Sequence, residues 1–590
     1  MKSSDKIVVM ESGHSEDNID DVAEFYAAID RQHLTKALSK TRPYTYWTIE
    51  LYDKTNGIRG GGGLGVLAAD TRRVAERMNV PLVVVTPFYP SEQHQYTKIH
   101  HDNGFELENH TDSVAVDYAA YGFKFLNTVM IHCNNGIVSL DVIEKHLGST
   151  RIISITEPGF GELYSGESGS DHRLYQEVAL GFGGYQALKL CDLKPSIMQL
   201  NEVATFFSAL ARLDELVTSG MDFYEAIVYT RKHTLYTNHT LVQAAEATFS
   251  YEQFERYVFP NLSSPAVKKW LSDKFENGKL MLSTVTIEIA ELRSGVSKLH
   301  ARVANYHDLA GKKVKFKAVT NGIDMPTWTA RNILAYFERQ GIIDKFYLPT
   351  EDYKVAIDTI KAEDIKTLKT SGRRELNTVL ARRPDQYGNF LNLPEDALLF
   401  EFKRRFVDYK RPWLPFTHPE AMKDILERNN AHYIFAGRVH EGDYRMMERL
   451  TALLKLIDDD DILRARVHYL PDYDEELGRA LSIGANISIN TPIVGLEACG
   501  TSWMKDVANL GLLVSTHDGG VADASSDSYL CVSGNNETEE IDVLYSRMSE
   551  AASAWNNDTS LEYLIRTELK AYLPVISGTR MLKDYLNLLF

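Results

Sequence analysis

Continuous apolar runs, rather than alternating ones, set the pattern of this chain. Val80-Pro81-Leu82-Val83-Val84-Val85-Thr86 has no polar face, which predicts a parallel strand covered on both sides. Pro195–Leu200 reads as a second buried strand, Thr234–Thr240 as a strand running into a polar end, and His432–Arg438 and Ala465–Leu470 as the strands of further βα units, after which Ile487–Asn490 leads towards the Lys505 stretch. Shorter strands are expected at Thr128–Ile131 and Thr150–Ile155, and Tyr44, Tyr46, Thr48, Glu50 and Tyr52 alternate with their neighbours in strand fashion. Between these runs, helical spacing occupies Val66–Val74, Tyr175–Leu190, Tyr353–Leu376 and Met446–Ile457, and an amphipathic helix is expected around Asp20–Ile29. Phe400–Arg411 interleaves aromatic and basic residues and reads as a partly buried helix. Ile541–Phe590 reads as two or three helices, the last of them, Met581–Phe590, apolar enough to dock back on the body of the protein. Strands alternating with helices predict an α/β fold built on parallel sheets.

Length and charge narrow this picture. A chain of 590 residues is too long for one hydrophobic core, so two large domains are expected. Their expected bounds are 1–300 and 301–570, with 571–590 forming the returning helix. The net charge of −17 argues against nucleic acid or anionic membrane as partner, since both need an extended basic surface. Four scattered cysteines, Cys133, Cys191, Cys499 and Cys531, suggest neither a zinc site nor a disulfide framework, and a reducing cytoplasm fits them. Glu11, Glu16 and Asp17 stand where a signal peptide needs an apolar core, and no apolar run is long enough to span a membrane.

Several stretches carry candidate chemistry. Gly60 to Gly65 contains five glycines and opens a helix, so its N–H groups and the positive dipole end suit a phosphate; a flexible loop is the alternative. Asn201-Glu202 ends a strand, where ligands of parallel sheets bind, but equally suits a helix N-terminus. His239 ends the next such strand and can be a ligand or a satisfied structural histidine. Five basic residues fall between 403 and 411 of an acidic chain. A solvated face is the usual meaning of such a run, but the interleaved apolar residues require partners for some of the cations. Leu496-Glu497-Ala498-Cys499-Gly500-Thr501-Ser502-Trp503-Met504-Lys505 puts a lysine on the first turns of a helix behind an anion-binding turn. A desolvated amine there can form a Schiff base with an aldehyde such as pyridoxal; a surface lysine after a turn is the alternative.

The stretch 497–505 resembles the cofactor-lysine signature of the α-glucan phosphorylases, Glu-Ala-Ser-Gly-Thr-X-X-Met-Lys, departing only at Cys499. The glycine loop, Leu200-Asn201-Glu202, Tyr236-Thr237-Asn238-His239-Thr240, Arg293–His300, Thr320–Trp328 and Arg404–Arg411 resemble further landmarks of that family, in its order. The resemblance implies a GT-B arrangement, two Rossmann-like domains facing a central cleft. It also implies pyridoxal 5′-phosphate carried by Lys505 as an imine. Cofactor contacts are then expected from Arg404, Gly500, Thr501, Ser502, Tyr52, Gly63, Tyr473 and Trp328, although a tryptophan is more often an ordinary core aromatic. Arg405 and Lys410 would hold the substrate phosphate, while His239 and Glu497 would hold the glucosyl unit. Gly62, Gly63, Leu64, Gly65, Glu202, Ser294, Asn321, Cys499 and Gly500 complete the expected substrate contacts.

The activity implied is retaining phosphorolysis of an α-1,4-glucan or maltooligosaccharide by orthophosphate, giving α-glucose 1-phosphate, with a homodimer expected from the family habit. Ser294 stands where the family has asparagine and Ala204 where it has histidine, so altered glycoside selectivity is expected. Two alternatives stay open: a nucleotide-sugar glycosyltransferase of the same fold, and a catalytically impaired glucan-binding or regulatory relative. Trp503, beside the cofactor turn, is the main support for the second.

Overall fold

The computed structural model describes residues 38–58, 62–89, 91–99, 104–113, 118–161, 163, 168–240, 247–304, 313–440 and 442–589. The helix expected at Asp20–Ile29 and the glycines Gly60 and Gly61 lie outside the described residues. The chain divides into two compact units. The first comprises residues up to Glu92, Ser113–Thr320 and Met581 onward, and the second comprises Gln93–Asp112 and Asn321–Arg580. The main division therefore falls at 320/321, against the expected 300/301, and two short segments belong to the opposite unit from their sequence neighbours.

The first unit is built on nine strands. In chain order they are β1 (Tyr44–Trp47), β2 (Leu82–Pro87), β3 (Lys124–Cys133), β4 (Gly136–Leu147), β5 (Thr150–Thr156), β6 (Ile197–Asn201), β7 (Thr234–Asn238), β8 (Leu292–Gly295) and β9 (Lys317–Ala318). Their order in space is β9-β8-β7-β6-β1-β2-β5-β4-β3. All neighbours from β9 to β5 are parallel, and β4 and β3 add an antiparallel edge. The strand order reverses between β1 and β6, so a crevice opens beyond their carboxyl ends. The expected alternation over Tyr44–Tyr52 is not what forms: β1 stops at Trp47 and all four of its residues are buried. A central parallel strand has both faces covered, which overrides a one-faced pattern.

At the outer edge, the side chain of Asn261 pairs with His132 of β3. The His132 N–H donates to Oδ1 at 2.8 Å and Nδ2 donates to the His132 carbonyl at 2.7 Å. An edge strand so occupied cannot pair with another chain at that point. On the sheet face, the helix expected over Tyr175–Leu190 forms as Asp171–Val178 and Gly184–Leu190, joined by a π-helical turn at Ala179–Gly183.

The second unit carries six strands: β10 (Leu398–Lys403), β11 (Ala431–Ala436), β12 (Val467–Leu470), β13 (Ile487–Asn490), β14 (Leu512–Thr516) and β15 (Leu530–Val532). They are parallel throughout and ordered β12-β11-β10-β13-β14-β15, the doubly wound order with its reversal between β10 and β13. β10 corrects the helix expected at Phe400–Arg411. All six of its residues, charged ones included, are buried between two neighbouring strands, so the helix-like interleaving of charge marks internal ion pairs rather than a helix face. Helices Ala362–Leu380 and Glu475–Gly484 cross closely at two glycines. A Cβ on Gly372 would stand 2.4 Å from the Ile483 carbonyl, and one on Gly484 would stand 2.5 Å from Leu376.

The hairpin Ser91–Ile99 and Phe105–Ser113 also packs with this unit. Gln95 donates to the Val439 carbonyl at 3.1 Å and accepts from the Val439 N–H at 3.0 Å. Three helices follow the last strand, Glu537–Trp555, Asp558–Ile576 and Gly578–Leu589. From Met581 the third belongs to the first unit, where Leu582 and Leu586 are fully buried.

Candidate active site

The carboxyl ends of β1, β6 and β7 gather hydrogen-bonding groups and no cation assigned to a ligand. Helix Gly63–Arg77 starts here with glycine at its N-cap, and its first N–H groups have no acceptor within the helix. Glu50 takes two of them: the Gly62 N–H and, at 3.1 Å, the Gly65 N–H both donate to its Oε2. A Cβ on Gly65 would stand 3.1 Å from that oxygen and 3.1 Å from the Tyr52 nitrogen, tighter than side chains ordinarily pack, so glycine favours the approach. This corrects the expectation that Gly62 and Gly65 present their N–H groups to a phosphate, because a carboxylate of the protein already sits at that helix end. Gly63 and Leu64 remain as first-turn donors.

At the end of β6, Glu202 has φ +67° and ψ 165°, a conformation that L residues avoid. It is held by its own N–H donating to the Thr237 carbonyl at 3.0 Å and by its carboxylate accepting from the His239 N–H at 2.7 Å. The carboxylate therefore does not serve as a helix cap. Asn201 donates through Nδ2 to the Trp47 carbonyl at 2.8 Å, leaving Oδ1 to meet His239 Nε2 at 3.1 Å. Nε2 must then carry the proton, and Nδ1 is the acceptor. Burial, with His300 nearby, lowers the His239 pKa to about 3, so the ring is neutral at ordinary pH. His300 is likewise pushed down to about 4 by burial; its Nδ1 accepts from the Val296 N–H at 3.2 Å and its Nε2 donates to Asn238 Oδ1 at 2.8 Å.

Ser294 departs from its expected place at the sugar. It is fully buried in β8, within a chain of hydrogen bonds running from Tyr44 through Gln199 and Thr237. Its Oγ lies 2.9 Å from that of Thr237. Gln199 Nε2 donates to Thr237 at 2.8 Å, and either hydroxyl can donate in the contact between Thr237 and Ser294. A short hydroxyl closes the gap between neighbouring strands, and the contact it makes is internal to the sheet.

In the second unit, the reversal between β10 and β13 gathers charge. Arg404 follows β10 directly, is 6% exposed, and donates through Nη1 to the Ile489 carbonyl. Its Nη2 is buried with no hydrogen-bond partner among the described residues. Arg405, next in sequence, is exposed. Lys410 pairs with Glu497 Oε2; burial opposes its charge, but the carboxylate outweighs that and raises its pKa. The Glu497 N–H donates to Asp518 Oδ2 at 2.9 Å, which fixes the turn that follows.

Helix Ser502–Ala508 carries Lys505, whose buried amine lies 3.2 Å from the centroid of the Trp328 ring, a cation–π geometry. Asn509 secures the far end of this helix, donating to the Trp328 and Lys505 carbonyls at 2.8 Å each. Asn321 donates at 3.1 Å to the Cys499 carbonyl, and its buried Oδ1 has no partner among the described residues. Gly500, Thr501 and Ser502 are all part-exposed at the turn. Tyr473 packs on Gly478, and burial with Glu401 and Asp506 nearby raises its hydroxyl pKa. Trp503 turns to the core: its ring stands 4.8 Å from that of Tyr572 and against Gly520. It therefore does not narrow the space at Lys505, and the support it lent to an impaired relative falls away.

Sequence reasoning missed Glu50, Lys403 and Asp506. Lys403 is fully buried, donating to Glu401 at 2.8 Å and pairing with Asp506, which accepts from Ser488 Oγ at 2.7 Å. Burial and Asp506 raise the Glu401 pKa, whereas Lys403 and Arg404 outweigh burial and lower that of Asp506. The available signal is two charges in each of two mostly apolar segments, Glu401 and Lys403 in β10 and Lys505 and Asp506 in the helix, which a buried site can hold only in pairs.

A sequence model of the carbohydrate phosphorylases matches residues 267–578, more than half of the chain. The maltodextrin phosphorylase of Thermococcus litoralis is 25% identical over 89% of this chain and 68% of its own length. The glycogen phosphorylase of Mycobacterium tuberculosis is 27% identical over 89% of this chain and 68% of its length. That of Aquifex aeolicus is 25% identical over 89% and 83%.

Proposed function

This chain belongs to the carbohydrate phosphorylase family, and from that premise we propose that it is an α-glucan phosphorylase: with pyridoxal 5′-phosphate on Lys505 it uses orthophosphate to release α-glucose 1-phosphate from a maltodextrin- or glycogen-type chain, with retention. The observation that carries the cofactor assignment is the pairing, at one strand reversal, of a buried lysine amine with a buried arginine that has an unused donor. Arg404 Nη2 suits a phosphate oxygen, since a desolvated guanidinium gains most from an anionic acceptor. Trp328 offers an apolar face beneath the Lys505 amine.

When bound, the cofactor supplies a phosphate group that can share a proton with the substrate phosphate. The chain's own residues surround two phosphates with cations, without which like charges would repel. Lys410 and Arg405 are assigned to orthophosphate, with Glu497 as the counter-ion that Lys410 exchanges on loading. Glu497 can then accept from a sugar hydroxyl. His239, neutral and with Nδ1 as acceptor, receives a second hydroxyl, and the first-turn N–H groups of Gly63 and Leu64 donate to the transferred unit. A cytoplasmic homodimer is the setting proposed; the four free cysteines fit a reducing compartment.

Borohydride reduction of the purified protein followed by peptide mass analysis should place a pyridoxyl-phosphate adduct on Lys505. Maltodextrin with orthophosphate should yield α-glucose 1-phosphate. An adduct without phosphorolysis would leave the cofactor assignment standing and overturn the activity.

A further inference from the structure

The Lys403–Asp506 ion pair has no part in the chemistry above, yet it flanks both residues assigned to the cofactor. Lys403 immediately precedes Arg404, and Asp506 immediately follows Lys505. The two side chains are 0% and 3% exposed. Buried ion pairs add little to stability, since apolar residues of the same volume do as well or better, so stability alone does not account for this one. Its position does. It joins the carboxyl end of β10 to helix Ser502–Ala508.

That helix is seven residues long and its N-cap, Thr501, makes no side-chain capping bond, so its placement depends on tertiary contacts. Asn509 ties its carboxyl end, and Lys369 Nζ donates to the Asn509 carbonyl at 3.1 Å and to that of Ile483 at 2.8 Å. The ion pair is the tie at the level of Lys505 itself. It is braced on both sides, by Glu401 at 2.8 Å from Lys403 and by Ser488 at 2.7 Å from Asp506.

We infer that Lys403 and Asp506 are positioning residues that set the spacing between the Lys505 amine and the Arg404 guanidinium, and so determine how tightly the cofactor is held. The inference rests on the phosphorylase reading above. It concerns geometry, because a flexible link would let the short helix slide and open the distance between the anchor of the aldehyde and the donor to the phosphate.

The test is titration of cofactor-stripped full-length protein with pyridoxal phosphate, followed by absorbance, alongside a thermal melt. The triple variant Glu401→Gln, Lys403→Met, Asp506→Asn nearly conserves volume and removes Lys403 together with both of its carboxylate partners; Arg404 loses the same two carboxylates, so Asp506→Glu, which keeps the charge, is read beside it. The triple variant should melt within a few degrees of the wild type, yet bind pyridoxal phosphate at least tenfold more weakly, with a displaced absorbance maximum. Asp506→Glu keeps the charge but lengthens the arm, and should weaken binding severalfold. Ser488→Ala, which removes only a brace, should weaken it about twofold to threefold.

A folded triple variant with wild-type affinity and spectrum would overturn the inference while leaving the proposed function intact. Should the triple variant not fold, unchanged affinity in both Asp506→Glu and Ser488→Ala would overturn it equally. Failure of the wild type itself to take up the cofactor would overturn the proposed function, and this inference with it.

Discussion

Beyond β1 and β6 the polar groups are amides, neutral imidazoles and two carboxylates, and both carboxylates are taken up by the protein's own N–H groups: Glu50 fills the helix end that could attract an anion, and Glu202 accepts from His239. Beyond β10 and β13, at the same kind of strand reversal, stand Arg404, Arg405, Lys410 and Lys505, and one buried guanidinium nitrogen of Arg404 has no partner among the described residues. Under the proposed function, one topology is fitted out twice, once to recognise a neutral ligand by directed hydrogen bonds and once to hold anions. Hydroxyls are read by oriented donors and acceptors, which a fixed neutral imidazole supplies. Phosphates are held by charge, and burial makes that charge count for more. The comparison shows why strand order alone names a place for a ligand but not its chemistry.

The sharpest way to break this contrast is Lys505→Ala, which should abolish both cofactor retention and phosphorolysis; a variant still active without cofactor would dissolve the assignment of the second unit. Arg404→Met should follow, weakening pyridoxal phosphate binding by about 10–100-fold, the worth of a charge-assisted hydrogen bond. Glucan binding to the same variant should hardly change, and equal losses for both ligands would erase the division of labour.

The neutral half has its own signature in acid. His239 and His300 bind protons only near pH 3 and 4 when folded, against the usual value near 6.5. Between these limits the unfolded chain binds more protons, so stability is present above about pH 6.5 and is lost as pH falls. The slope approaches roughly 1.4 kcal/mol per pH unit for each histidine. Denaturant unfolding at several pH values would measure it, and His300→Asn should flatten the curve.

Ser294→Asn should cost about 1–3 kcal/mol by crowding the sheet interior, leaving maltodextrin KM unchanged in the folded fraction. A lowered KM would return Ser294 to the sugar. Glu50→Gln should have the smallest effect, about 0.3–1 kcal/mol at the helix end. It would be read as a lower melting temperature without loss of cofactor.

Much of this was legible before any coordinates. Val80–Thr86 has no polar face and reads as an interior strand, and the Lys505 stretch carries its own punctuation of turn and helix. β10 was not legible, because Glu401 and Lys403 look like a solvated helical face until Asp506, a hundred residues away in sequence, is placed beside them. Ser294 was misplaced for a related reason: its strand was visible, but not which neighbour would accept its hydroxyl. Glu50 was overlooked since a carboxylate that caps a helix from a preceding loop leaves no local spacing to recognise. Pairings between distant segments are what a single sequence hides most completely.

The exchange of segments between the two units bears on how the protein is made. Leu582, Tyr585 and Leu586 complete the first unit, but all of Asn321–Arg580 is synthesised between them and Thr320. At ribosomal speeds of about 5–20 residues per second, that delay is roughly 10–50 s. During it the first unit lacks these buried side chains, so a nascent chain of this protein should depend on chaperones while Asn321–Arg580 is made, and arresting translation just after Thr320 should leave a protease-sensitive intermediate.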